Sequence, residues 1–189
     1  MGNLMYIKNA AQVITVSGSN AQPRTGKSMS ELNVIHQGGI VIEDDRIVFV
    51  GSDVEAQVYV DGRGGACNLI HAEGKTVTPG LVDPHTHLVF AGSREQELEM
   101  RLNGASYIEI LESGGGILYS TMQTRAATEE QLFAESKKRL DSFLKHGVTT
   151  LEAKSGYGLT VEDELKQLRV ARALNESHPI DLISTFMGA

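Results

Sequence analysis

Two kinds of hydrophobic pattern divide the chain. Gln12–Val16 (QVITV) is a short β-branched run. Gly39–Ser52 (GIVIEDDRIVFVGS) sets two such runs on either side of Asp44-Asp45, the pattern of a β-hairpin. The intervening Ser17–Leu32 is rich in Ser, Gly, Asn and Pro and reads as a surface loop. Val60–Lys75 (VDGRGGACNLIHAEGK) reads as a turn-rich connection, and a domain boundary is expected at its end, between residues 76 and 77.

From Thr76 the period changes. Thr76–His87 (TVTPGLVDPHTH) is an apolar strand, and Glu95–Ser113 is helix-forming with a break at Asn103-Gly104. Thr128–Gly147 is a well-marked helix. Thr128 and Gln131 form a capping box, Leu132, Phe133, Leu140, Phe143 and Leu144 share one face, and Gly147 is the stop. Val148–Ser155 is a second strand, Val161–Ser177 a helix capped by Thr160, and Asp181–Gly188 a third strand. Strands joined by helices of this length imply parallel neighbours in one α/β sheet. A doubly wound sheet and a (β/α)₈ barrel both begin in this way.

Charge narrows the partners. The 189 residues carry 17 Lys+Arg against 24 Asp+Glu, a formal net charge of −7, with no basic run. That argues against a nucleic-acid partner, which needs clustered cations, but leaves room for a small anion held by one placed arginine. No apolar stretch is long enough for a membrane span. The N-terminus lacks a signal-peptide pattern, and Tyr6 stands where a myristoylation signal wants Ser or Thr. With Cys67 as the single cysteine no intrachain disulfide can form, so a soluble cytoplasmic protein is expected, and a homodimer is left open.

The candidate chemistry sits where the apolar strand ends. His85 and His87 lie two apart after Asp83-Pro84, so in a strand both project to one face and can reach one divalent ion. His36, His71, His146 and His178 are read as ordinary polar groups, His146 as a partner of a helix C-terminus. Gly114-Gly115-Gly116 lacks phosphate-loop spacing and reads as an active-site loop or a helix end. Thr150, Glu152 and Lys154 alternate onto one face, and Glu152 with Lys154 is read as a structural ion pair.

The stretch TVTPGLVDPHTH behind a β-hairpin resembles the start of the amidohydrolase superfamily. DPHTHLVFAGSR, SGGGI and EAKSGYGL together resemble its imidazolonepropionase family along the whole chain. The resemblance implies a metal-bearing (β/α)₈ TIM barrel with a small β-sandwich built from both chain ends. Residues 1–76 would be the N-terminal part of that sandwich, and 77–189 the first three β/α units. It implies one divalent metal, zinc or iron, with His85 and His87 as its first two ligands. It also implies a small carboxylate substrate, 4-imidazolone-5-propanoate, opened by water to N-formimidoyl-L-glutamate in histidine degradation. Arg94 and Tyr157 match substrate-binding positions, and Tyr107 is a weaker candidate. From the residues alone, Arg94 could equally be a solvated loop residue and Tyr157 a capping aromatic.

A complete barrel takes about 250 residues, and this chain reaches only a third strand. The family's remaining metal ligands, its catalytic carboxylate and a further substrate-binding histidine are therefore expected beyond Ala189. The chain reads as the N-terminal portion of the enzyme, inactive alone. The alternatives are another amidohydrolase, a cyclic amidase or deaminase, and a non-catalytic metal-binding fragment.

Overall fold

The computed structural model describes residues 3–18 and 23–188. The chain divides into two units, Met1–Pro79 and Gly80–Ala189. The division falls slightly later than the sequence places it because Thr76 and Val77 pair with the first strand and so belong to the first unit.

Among the described residues the first unit is built on β1 (Leu4–Ile14), β2 (Val34–Glu43), β3 (Arg46–Ser52), β4 (Cys67–His71) and β5 (Thr76–Val77), with one α-helix, α1 (Asp53–Arg63), and a short 3₁₀ helix, Gly26–Ser30, within the stretch read as a loop. The sheet order is β3-β2-β1-β4, with β5 also on β1. β2 and β3 form the expected hairpin, turning at Asp44 with φ +55°. β1 starts well before Gln12, and its register shifts between Ile7 and Ala10, where Asn9 takes φ +58°. Two stretches correct the sequence reading. Val60–Lys75 is no plain connection, because it holds the end of α1 and all of β4. Helix α1 itself starts from a capping box in which the Glu55 N–H donates to the Ser52 hydroxyl and the Glu55 carboxylate accepts the Ser52 N–H. Leu4, Tyr6, Val41 and Ala56 are buried together under it.

The second unit holds β6 (Leu81–Thr86), β7 (Val148–Lys154) and β8 (Asp181–Thr185), all parallel in that order. Five helices belong to it: α2 (Glu95–Leu102), α3 (Tyr107–Glu112), α4 (Gly116–Ala126), α5 (Glu129–Lys145) and α6 (Val161–Ser177). The break between α2 and α3 falls at Asn103-Gly104, as its turn residues require. Of the two readings of the Gly triplet, the helix end is the one observed. Gly115 caps α4, and the Glu97 carboxylate accepts the Gly116 N–H at 2.6 Å. Thr128 and Gln131 close the expected capping box on α5. Leu132 and Leu140 from that helix are fully buried with Leu151, Val170, Leu174 and Ile180. Leu144, assigned to the same face, is half exposed because it lies at the edge of the stripe. Among the described residues no helix is long and apolar enough to cross a membrane.

Candidate functional site

The site forms where β6 and β7 end in the second unit. Parallel strands present their C-terminal ends together, and the loops leaving them are free to carry chemistry. β6 stops at Thr86, so His85 lies within the strand and His87 in the first residue after it. The ladder slips between Asp83 and Thr86, around Pro84, which has no N–H to donate. Thr86 is tied across by donating its hydroxyl to the Glu152 carbonyl at 2.6 Å.

Each histidine then meets the neighbouring segment two residues apart. His85 Nδ1 lies 2.9 Å from Lys154 Nζ. Lys154 also pairs with Glu152 at 2.7 Å, as expected for those two, and Thr185 donates its hydroxyl to the same carboxylate at 2.8 Å. The bonds from Lys154 and then Thr185 hold the Glu152 carboxyl below its ordinary range. His87 packs against Gly156 and Tyr157. A Cβ on Gly156, whose φ is +123°, would come within 3.3 Å of His87 Cε1, so glycine is required twice over. The Tyr157 ring stands edge-on to the His87 ring at 5.1 Å.

His87 Nδ1 is buried and, among the described residues, has no hydrogen-bond partner. Buried polar atoms without partners are rare and costly. An imidazole nitrogen left free at a strand end has the chemistry of a metal ligand. Among the described residues, however, no three His, Cys, Asp or Glu side chains gather as a metal site. The unpartnered nitrogen of His87 fits a divalent metal as part of a ligand set, and the described residues do not complete one, since a hydrolytic site takes three protein ligands.

Two recesses adjoin here. One, of about 340 Å³, is lined by Phe90, Gly92, Ser93, Arg94, Ser120, Arg139 and Tyr157. The other, about 570 Å³ and more apolar, is lined by His87, Phe90 and Arg139 and also by Leu81, His146 and Val148, so it runs along β6 toward the ends where β6 and β7 begin. The sequence reading places both histidines with Arg94 and Tyr157 in one cleft. The structure instead puts Arg94 and Tyr157 in the first recess and His87 in the second, with Phe90 and Arg139 in the walls of both. His85 lines neither of these two recesses. Arg94 precedes α2 and reaches Glu97 only at 3.9 Å, so its guanidinium stays available. Tyr107 is exposed on the first turn of α3 and lines neither recess.

Two residues that the sequence reading passes over hold this arrangement. Arg139 on α5 lies 3.8 Å above the Phe90 ring and donates to the Leu88 and Phe90 carbonyls at 3.1 and 2.9 Å. Glu164 on α6 is buried and accepts three backbone N–H groups from the loop that carries Tyr157. Its signal was legible: with Gln167, Val170, Ala171 and Leu174 it lies on the buried stripe of α6, an odd place for a carboxylate. Two of the remaining histidines keep ordinary contacts. His146 Nδ1 bonds the Ser142 carbonyl at 2.7 Å, and His178 Nε2 lies 3.3 Å from Asp141.

No protein-family model matches the chain. It is 59% identical, over its whole length, to a protein named imidazolonepropionase from Shouchella clausii (strain KSM-K16), of which it covers 42%. It is 58% identical over 98% of its length to the protein of that name from Brevibacillus brevis (strain 47 / JCM 6285 / NBRC 100599), covering 44% of it. The chain thus spans less than half the length of the curated relatives it matches. Among solved structures, an uncharacterized metal-dependent hydrolase from Pyrococcus furiosus aligns with 97% of the chain and 50% of its own, at a TM-score of 0.59 and 15% identity. At that identity the likeness is one of fold.

Proposed function

We propose that the chain is part of an imidazolonepropionase, a metal-dependent amidohydrolase that opens the ring of 4-imidazolone-5-propanoate with water to give N-formimidoyl-L-glutamate. The observation that carries this reading is the placement of Tyr157. Its ring lines the recess of Arg94 and at the same time packs edge-on against His87, whose Nδ1 has no partner. In this reading a carboxylate anchor stands next to a metal-ligating imidazole. Relatives at 58–59% identity, all along this chain, support the same reading.

In this reading the second unit is the first three β/α units of a (β/α)₈ barrel, and the first unit is part of a β-sandwich, in a cytoplasmic enzyme. His85 and His87 would hold one divalent metal, zinc or iron. Such an ion supplies a bound water of lowered pKa and polarises a lactam-like carbonyl. The chain's own residues do the rest of what is assigned to it. The Arg94 guanidinium grips the propionate carboxylate with a two-pronged charged bond. The Tyr157 hydroxyl donates to the ring or to the same carboxylate. The Phe90 and Tyr157 rings, 5.7 Å apart, form an apolar wall that limits water at the anchored end. A charged carboxylate subsite favours this substrate over the neutral rings that a cyclic amidase or a deaminase would take.

The test is ring opening, followed by loss of substrate absorbance, with the longer protein that contains this chain and with the 189-residue chain alone, each loaded with zinc or iron. The longer protein is expected to turn over. The chain alone is expected to be inactive, because it supplies two imidazoles and no general base. Turnover by the chain at the rate of the longer protein would contradict the division of ligands proposed here.

A further inference from the structure

We propose that Glu164 is a positioning residue that clamps the loop Ser155–Leu159 and so holds Tyr157 at its station against His87, an inference that rests on the function proposed above. The loop is only the short link between β7 and α6, yet three of its backbone N–H groups donate to one carboxylate. Gly156 reaches Oε2 at 2.6 Å, and Gly158 and Leu159 reach Oε1 at 2.7 and 2.8 Å. The N–H of Tyr157 itself turns to Gln167 Oε1 at 3.4 Å, one helical turn further along α6. Every loop amide from 156 to 159 is therefore directed at two acceptors on one helix face.

These bonds compensate for an unfavourable backbone. Leu159 is held at φ +55°, a conformation that needs surrounding structure to over-determine it in a non-glycine residue, whereas Gly156 takes +123° freely. Other contacts lock the ends of the loop. The Ser155 N–H donates to the Thr185 carbonyl at 3.0 Å, the Met187 N–H donates to the Ser155 hydroxyl at 3.0 Å, and Arg125 Nε donates to the Gly158 carbonyl at 2.6 Å. Tyr157 stands at the centre of this frame, and its side chain, unlike its backbone, is free to face the recess. A carboxylate buried on the apolar stripe of a helix is an expensive way to pack α6 on the sheet, since an apolar residue would serve that end. What an apolar residue could not do is fix the loop's donors, and through them the ring that touches His87.

The test uses the longer protein containing this chain. KM and kcat for 4-imidazolone-5-propanoate are measured in the wild type, Glu164→Gln, Tyr157→Phe and the double variant, with Gln167→Ala as a milder second probe. A carboxamide keeps the volume of Glu164 but turns an N–H₂ toward one loop amide. KM is expected to rise about 10-fold in Glu164→Gln, the worth of one charge-assisted hydrogen bond, with kcat changing less than about 3-fold. In the Tyr157→Phe background the same change is expected to raise KM little further, because the hydroxyl that the clamped loop aims at the substrate is already gone. Full additivity, or an equal fall of kcat at constant KM, would overturn the proposal. Amide hydrogen exchange at Gly156, Gly158 and Leu159 decides the matter without turnover. Protection in the wild type and faster exchange in Glu164→Gln are expected, and fast exchange in the wild type would overturn the proposal. A wild type that leaves the ring intact would refute the functional reading, and those amides alone would then decide the role of Glu164.

Discussion

Two carboxylates, one in each unit, do the same physical work on different material. In the first unit Asp53, at the start of α1, accepts the Tyr6 hydroxyl at 2.6 Å and the Asn9 N–H at 2.8 Å. It thereby fixes the bulge in β1, where Asn9 sits at positive φ. In the second unit Glu164, in the first turns of α6, accepts the N–H groups of Gly156, Gly158 and Leu159. Both carboxylates satisfy strained backbone from a helix start. The Asp53 network ends on a fully buried tyrosine in a packed core. The Glu164 network ends on a tyrosine beside a free imidazole nitrogen and an arginine. A buried polar network therefore does not mark a site by itself. What marks it is the chemistry presented by the segment it holds.

The largest expected effect breaks the comparison on the second side. Gly156→Ala puts a methyl 3.3 Å from His87 Cε1 at a φ that only glycine takes easily. Displacing that ring by a few tenths of an ångström or more is expected to lower kcat/KM of the longer enzyme by up to about 100-fold, read by steady-state kinetics. Next is Tyr6→Phe, which removes one of the two bonds that the Asp53 carboxylate accepts. It is expected to destabilise the first unit by about 1.5–3 kcal/mol in urea unfolding, with KM unchanged. A change in KM would dissolve the distinction between the two networks.

The two units are also expected to fail at opposite ends of the pH scale. Burial would raise the Glu164 carboxyl, but bonds from Ser155, Leu159, Gly158 and Gly156 outweigh it and hold the group below its ordinary value. Its contribution is therefore present above the usual carboxylate range and lost as pH falls through the lowered value. Burial, then the bond to Asp53, raises the Tyr6 hydroxyl. That contribution is intact below the ordinary tyrosine range, about pH 10, and is lost as pH rises beyond it. Urea midpoints are expected to fall in acid in a way that Glu164→Gln flattens, and in alkali in a way that Tyr6→Phe flattens. The smallest effect is Thr160→Ala, which removes the hydroxyl that caps Asp163 N at 3.2 Å and is expected to cost about 1 kcal/mol.

The second unit was far more legible in the sequence than the first, and the reason is physical. Helices α5 and α6 carry caps, a long apolar stripe and a stop, so local and global signals agree. Helix α1 contains Val54, Val58, Tyr59, Val60 and Gly62, residues that favour strands or turns, and only its Ser52–Glu55 capping box speaks for it. β1 was read short because the bulge at Asn9 interrupts its alternation. α4 begins at a glycine and is rich in Ser and Thr, so it resembles a loop. At the site, the spacing of His85 and His87 could be read directly. The contact of His85 with Lys154 could not, because it depends on the register in which Thr86 faces Ala153. The same holds for the wall of Phe90 and Arg139 between the two recesses, which joins a loop to a helix well separated in sequence.

The central claim is that the recess of Arg94 and Tyr157 takes the substrate carboxylate. The most direct measurement is kcat/KM for 4-imidazolone-5-propanoate in the longer enzyme carrying Arg94→Lys. A lysine keeps the charge but not the two-pronged geometry. The account expects a fall of about 10- to 100-fold, the worth of a charge-assisted bond, arising in KM, with bound metal unchanged. An unaltered kcat/KM would contradict it.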